Sequence, residues 1–215
     1  MNIIFIGPPG VGKGTQSLLI SKTIKIPIIS SSKILKENIN TLSTMQNVSK
    51  EINDGKLIND NIVTKLIFSQ IEKKFCKPGF ILDGFPRTII QAKELKKFKK
   101  IDIIFYLFAK KNVLIDRLIG RRIHVPSGRV FNVNSFAIGE KQLDPLTKEP
   151  LSIRKDDSKK IVKKRLEIYN SLTKPLIEFY RTESIRGTCK LYEINASKTI
   201  EHVKTELLHH LNLNS

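Results

Sequence analysis

Gly7-Pro8-Pro9-Gly10-Val11-Gly12-Lys13-Gly14-Thr15 decides the fold of this 215-residue chain, because it stands between a short apolar run, Asn2 to Ile6, and a helical period. Successive glycines let the backbone curl until its N–H groups converge, and the following helix adds its positive end. The product is a concave anion site. Lys13 stands at the offset that reaches the β and γ phosphates of a nucleoside triphosphate, and Thr15 offers a hydroxyl to the phosphates or to Mg2+. Gly14 occupies the slot where the commonest P-loop pattern carries Ser or Thr, so the match is to a kinase-like variant. A glycine turn that merely joined strand to helix would leave Lys13 without a reason.

Outward from the loop, Asn2 to Ile6, Gly79 to Leu82, Ile101 to Leu107 and Leu191 to Ile194 read as strands apolar on both sides, the pattern of a parallel sheet covered by helices. Helical periods lie between them. Ile62, Val63, Leu66, Ile67 and Ile71 share a face after Asn59 or Asp60 as N-cap, and Val113, Leu114, Arg117 and Leu118 begin another helix. Ile161 to Ile177 continues the pattern until Lys174-Pro175, and Ile200, Val203, Leu207, Leu208 and Leu211 form a last amphipathic helix. This βαβ alternation predicts a doubly wound α/β fold with helices on both faces of the sheet. From His124 to Pro150 the chain passes Pro126, Gly128, Gly139, Pro145 and Pro150, too long and too punctuated for a connection. That stretch reads as a small inserted subdomain or lid.

Length and composition bound the rest. A chain of this size buries one substantial core, and a 40% hydrophobic, 27% charged composition is that of a folded soluble protein. No apolar run approaches a membrane span, and Ile3 to Ile6 is too short and wrongly flanked for a signal peptide, so a cytoplasmic location is expected. Cys76 and Cys189 lack metal or disulfide spacing and read as core thiols. The formal charge of +18 admits nucleic acid or anionic small molecules as partners. Lys, Ile and Asn are abundant throughout, which reads as AT-rich codon bias, and pairs such as Lys96-Lys97 and Lys163-Lys164 read as solvated helix faces.

Two further segments carry chemistry. Asp83-Gly84-Phe85-Pro86-Arg87-Thr88 follows a buried strand, so Asp83 falls beside the phosphate loop, where it can hold Mg2+ through water. Arg87 supplies a five-donor fork suited to a second phosphate. Arginines then flank the insertion, Arg117, Arg121 and Arg122 before it and Arg154 and Arg165 after it, in a chain that otherwise favours lysine. Arg117 and Arg121 are four apart and are expected to share a helix face. Such a set argues for bidentate phosphate contact.

In order along the chain, the P-loop, Asp83 to Thr88 with Gln91, Gly120-Arg121-Arg122-Ile123-His124, Pro126-Ser127-Gly128-Arg129 and Arg154-Lys155-Asp156-Asp157 resemble the adenylate kinase family in its long-lid bacterial form. The resemblance runs nearly end to end. It implies a parallel five-stranded P-loop core over residues 1–29, 59–120 and 158–215, an AMP-binding flap over 30–58 and a lid over 121–157. It implies reversible, Mg2+-dependent phosphoryl transfer from ATP to AMP, giving two ADP, by a monomer without nucleic-acid or membrane partners.

For the ATP side the resemblance implies Gly10, Val11, Gly12, Lys13, Gly14 and Thr15 on the phosphates, Arg117 and Arg121 at the lid hinge, and Val130, Phe131, Lys198 and Ile200 around the adenine. For AMP it implies Ser31, Lys36, Lys56, Leu57, Ile58, Gly84, Phe85, Pro86, Arg87 and Gln91. Arg154 and Arg165 would close between the nucleotides, Asp83 would order Mg2+, and Lys13, Arg87, Arg121, Arg154 and Arg165 form the catalytic set. His124, Ser127, Asp144 and Thr147 fill the four places that hold zinc-binding cysteines or a polar substitute, and oxygen donors with one His predict no structural metal. Departures fall on the AMP side, where Ser30-Ser31-Ser32-Lys33 replaces Ser-Thr-Gly-Asp and Lys36 replaces Arg, and at Phe131, which replaces Tyr or His. A kinase of another nucleoside monophosphate (CMP, UMP) and a basic nucleic-acid-binding P-loop protein are the alternatives.

Overall fold

The computed structural model describes residues 1–38, 57–133, 138–139 and 141–213. Its strands are, in chain order, β1 (Asn2–Ile6), β2 (Ile28–Ser30), β3 (Phe80–Asp83), β4 (Ile103–Phe108), β5 (Arg121–Ile123), β6 (Val130–Asn132) and β7 (Lys190–Asn195). The helices are α1 (Lys13–Ile24), α2 (Ser31–Asn38), α3 (Asp60–Ile71), α4 (Ile89–Phe98), α5 (Lys111–Ile119), α6 (Lys159–Ile168), α7 (Leu176–Ile185) and α8 (Ile200–His210).

Five strands form one sheet in the order β2-β3-β1-β4-β7, every pairing parallel. Side chains alternate across it as strand geometry demands. Ile4 and Ile6 of β1 join Phe80, Leu82 and Ile104 in a layer with Ile34 of α2, Ile67 of α3, Leu95 of α4 and Tyr180 of α7. Ile3 and Phe5 join Ile81 and Phe105 on the opposite face, with Ile20 of α1, Leu118 of α5, Val162 of α6 and Leu207 of α8. Both faces are therefore dry, which is why these strands read as continuous apolar runs. The expected doubly wound sheet is the one observed.

Strand β1 lies between β3 and β4, and the chain leaves it by the phosphate loop. The crevice at the carboxyl ends of these strands is where open α/β sheets bind ligands. Asp83, the last residue of β3, stands in register with Phe5 of β1 and Ser30 of β2.

Three details differ from the sequence expectation. Strand β2, three residues ending in a serine, has no apolar run long enough to announce it. The period from Ile161 to Ile177 is not one helix: α6 ends at Ile168 and a π-helical turn, Tyr169–Thr173, precedes α7. Helix α5 stops at Ile119, with Gly120 as its C-cap and the Gly120 amide bonded to the Asp116 carbonyl. Arg121 therefore begins β5, paired with Asn132 of β6, and does not share a helix face with Arg117. The inserted stretch carries its own antiparallel pair, β5-β6, with bridges Ile123 to Ser152 and Leu143 to Pro150.

Candidate active site

The phosphate loop owes its shape to close approach. Gly10 has φ 82°, and a Cβ there would lie 2.7 Å from Leu118 Cγ and 2.8 Å from the Leu114 carbonyl oxygen of α5. No side chain larger than hydrogen fits. Helix α1 has no side-chain cap and no acidic residue in its first turn, so its N-terminal amides and positive end are left for an anion. The Lys13 ammonium folds back over the loop, donating to the carbonyls of Gly7 at 2.8 Å and Pro8 at 3.0 Å. Burial lowers its pKa to about 8, against the opposing pull of Asp83, while Arg87, Arg165 and Arg121 lower it further. Asp83 responds in the opposite sense, raised by burial and lowered in part by Lys13 and Arg87. Its Oδ2 lies 3.5 Å from where a Cβ on Gly14 would stand, so the carboxylate borders the start of α1.

Across the crevice, Arg87 is fixed rather than free. Its Nε donates to the Gly84 carbonyl at 2.8 Å and one terminal nitrogen reaches the Ser31 hydroxyl at 3.5 Å, while the Ser31 hydroxyl itself donates to the Gly84 carbonyl at 2.8 Å. Burial pushes the Arg87 pKa down and Asp83 pulls it up. Gln91 is 3% exposed and its amide is fully engaged: its oxygen accepts the Arg87 N–H at 2.7 Å, and its nitrogen donates to Asp60 Oδ1 at 2.7 Å. Thr88 donates to the other Asp60 oxygen at 2.8 Å and caps α4 by accepting the Gln91 N–H at 3.2 Å. The Thr-x-x-Gln spacing is a capping-box signature, here with the Gln oxygen turned to Arg87. Thr173, in the π-helical turn, donates to the Arg87 carbonyl at 2.9 Å and ties that turn to the same segment.

The arginines around the insertion share two aspartates. Arg121 makes a bidentate pair with Asp157, at 2.6 Å from Nε and 2.5 Å from a terminal nitrogen, and Arg154 makes one with Asp156 at 2.8 and 2.9 Å. Arg165 meets Asp157 Oδ1 and Asp156 Oδ2, both at 3.0 Å, and burial lowers its pKa to about 10. Burial raises the Asp156 pKa, but Arg165, Arg154 and Arg121 outweigh it and the net shift is downward. Phosphate oxygens present the same geometry as these carboxylates, so an entering polyphosphate can exchange with them for the same forks.

At the base of the insertion, His124 Nδ1 is 2.6 Å from the Ser127 hydroxyl and Nε2 is 2.5 Å from Glu149. Thr147 Oγ1 is 3.2 Å from Nε2, and Asp144 accepts a bidentate pair from Arg129 at 2.9 and 2.7 Å as well as the amides of Leu146 and Thr147. All four residues expected there are thus committed to hydrogen bonds. Among the described residues no three His, Cys, Asp or Glu side chains form a metal-ligand group.

Two adjoining cavities organise the expected residues. One is lined by Gly7, Pro9, Lys13, Leu57, Gly84, Pro86, Arg87 and Arg165, the other by Ser31, Leu57, Ile58, Gly84, Arg87, Gln91, Arg154 and Arg165. Leu57, Gly84, Arg87 and Arg165 border both. Arg117 lies elsewhere, one of its terminal nitrogens donating to the carbonyls of Ala196 at 2.7 Å and Val11 at 3.5 Å. Lys198 is exposed beside His202 and Glu206, and Val130 and Phe131 sit on β6, outside the lining of both cavities. Lys56 and the Lys36 side chain lie outside the described residues. Sequence reasoning gave no site role to Thr88, Asp156, Asp157 or Thr173, and to Asp60 only a possible N-cap, a place that Asn59 takes. The acidic pair between Arg154 and Arg165 was the available signal, two like charges set among basic residues.

A family model described as Adenylate kinase matches residues 5–185. An adenylate kinase of Blochmanniella pennsylvanica (strain BPEN) is 40% identical over 212 residues, covering 97% of this chain and 97% of that protein. Adenylate kinases of Buchnera aphidicola are similarly near: that of subsp. Acyrthosiphon pisum (strain APS) is 42% identical over 209 residues, 96% of this chain and 97% of that protein. That of subsp. Cinara cedri (strain Cc) is 42% identical over 216 residues, 100% of this chain and 99% of that protein.

Proposed function

The chain belongs to the adenylate kinase family and transfers a phosphoryl group between ATP and AMP, and from that premise we propose how its own residues divide the work. The observation that carries the assignment is the shared border of the two cavities: Arg87 and Arg165 stand where two phosphate chains would meet, with Lys13 on one side and Ser31 and Gln91 on the other.

On the ATP side, the amides from Gly10 to Thr15 and the Lys13 ammonium hold the phosphates. Lys13 exchanges the Gly7 and Pro8 carbonyls for phosphate oxygens. Arg117 and Arg121 approach from the lid hinge, and Val130, Phe131, Lys198 and Ile200 surround the adenine. On the AMP side, Ser31, Lys36, Lys56 to Ile58, Gly84 to Arg87 and Gln91 receive the monophosphate. The attacking oxygen belongs to an already ionised phosphate, so no general base is needed and catalysis reduces to alignment and neutralisation. Arg87, Arg121, Arg154 and Arg165 supply both.

Mg2+ fits the site's chemistry, since a small hard cation keeps several waters and needs only one or two carboxylates beside the phosphates. Asp83 at the end of β3, with the Thr15 hydroxyl, would hold it, and the ion would neutralise phosphate charge when bound. The base of the lid is held by the His124, Ser127, Asp144 and Thr147 hydrogen bonds without structural zinc. Residues 30–58 and 121–157 act as closing flaps over AMP and ATP, excluding the water that would otherwise take the phosphoryl group. The protein is a cytoplasmic monomer in this reading; among the described residues no helix is long and apolar enough to cross a membrane.

The test is ADP formation from ATP with AMP, CMP, UMP or GMP as acceptor. AMP is expected to be the best acceptor by about tenfold or more in kcat/KM. CMP or UMP as the better acceptor would reassign the substrate while keeping the reaction type.

A further inference from the structure

Gln16, the residue after Thr15, is 3% exposed on α1. Its Nε2 donates to the main-chain carbonyl of Ile200 at 3.0 Å. Only the amide nitrogen can donate to a carbonyl, so this bond fixes the orientation of the side chain. The amide oxygen is left buried with no hydrogen-bond partner among the described residues. An unpartnered buried acceptor destabilises a fold, and an apolar side chain of similar size would avoid that penalty. The contribution of Gln16 is therefore its one bond, which spans 184 residues to the start of α8.

That bond has a counterpart. Arg117 donates to the Ala196 carbonyl at 2.7 Å and to the Val11 carbonyl at 3.5 Å. The segment from Ala196 to Ile200 is thus tied at one end to the phosphate loop through Arg117 and at the other to the first helical turn behind that loop through Gln16. Between the ties it runs along the surface, with Ile200 54% exposed. Released from Gln16, the Ile200 carbonyl keeps its place as an intrahelical acceptor at the start of α8.

We propose that Gln16 is a positioning residue for the purine of the triphosphate, setting the distance between the phosphate cradle and the segment that receives the base. The inference rests on the reading that Lys198 and Ile200 border the adenine. It predicts a division within one ligand: base recognition depends on Gln16, and phosphate recognition does not.

The experiment is calorimetric binding of ATP and of inorganic tripolyphosphate to the full-length protein and its Gln16→Met variant. The ATP dissociation constant is expected to rise about tenfold, the worth of one well-placed hydrogen bond, while that of tripolyphosphate stays put. KM for ATP should rise by the same factor and KM for AMP should not move. Gln16→Leu, a second apolar side chain that cannot donate, should reproduce the loss. The Met variant should melt no lower than wild type, because the orphan oxygen is gone. Unchanged ATP binding in both variants would overturn the proposal, and so would equal weakening of ATP and tripolyphosphate, which would place the effect in the phosphate cradle. Ile200→Asp separates the premise from the inference. If that variant binds ATP normally, the base does not lie on this segment and both fall; if it weakens ATP while Gln16→Met does not, only the role of Gln16 falls.

Discussion

The Lys13 ammonium is held where its own charge is disfavoured, with a pKa lowered to about 8 by burial and by neighbouring arginines. A bound triphosphate reverses that balance by adding negative charge beside it. Two consequences follow at this residue. As pH rises through about 8 the free enzyme loses the charge, so kcat/KM for ATP should fall there, whereas kcat, which reports the loaded enzyme, should hold to higher pH. A pH profile in which both fall together would contradict this. Lys13→Met should slow transfer by about 10²–10³-fold without lowering the melting temperature. The sign is set by linkage: between pH 8 and 10.5 the unfolded chain binds the proton that the folded chain has lost, so folding stability rises with pH across that window and charged Lys13 opposes folding below it. Lys13 and Arg87 were legible in the sequence because their chemistry demands a fixed offset from a loop or strand end. The counter-ions Asp156 and Asp157, and Asp60 behind Gln91, were not, because which carboxylate meets which arginine is decided by packing between distant elements.

At the base of the insertion, the described residues are held by a cluster of polar contacts. Hydrogen bonding by Arg129 holds the Asp144 carboxyl well below the usual carboxylate range, helped by the amides of Thr147 and Leu146, and hydrogen bonding by His124 lowers Glu149. Groups depressed in this way add stability above the ordinary carboxylate pKa and lose it only as pH falls through the depressed value. Asp144→Asn, which discards the ion pair, should open residues 121–157 to limited proteolysis while the rest of the chain resists. A metal chelator should not reproduce that susceptibility in the wild type. Cleavage of the lid by protease after chelation alone would mean that a metal, not the hydrogen bonds, closes it. That an inserted unit with its own pairing stands here was readable from its prolines and glycines, since a packed connection has no use for so many. The end of α5 was misread, because a four-residue spacing of arginines mimics a helix face and only the Gly120 cap shows that the chain has already turned into β5. The helical period through Thr173 likewise hid the π-helical turn, whose extra residue changes hydrogen bonding without changing hydrophobic rhythm.

At the scale of the molecule, a parallel sheet covered on both sides leaves the row of carboxyl strand ends as a crevice on which loops converge, and the cationic side chains proposed to hold phosphate gather there. Among the described residues, Lys13, Arg87, Arg121, Arg154 and Arg165 face Asp83, Asp156 and Asp157, an excess of positive charge matched to phosphates. The larger excess of +18 is spread along the whole chain and needs no second partner to explain the site. The fold was legible nearly whole because apolar runs, helical periods and one glycine loop all require the same layered sheet. The central claim is that one crevice receives two nucleotides end to end, with Arg87 and Arg165 between them. Binding of a bisubstrate analogue, two adenosines joined by five phosphates, tests it most directly by competition. The account predicts that one molecule per chain displaces both ATP and AMP, whereas displacement of ATP with AMP left bound would contradict it.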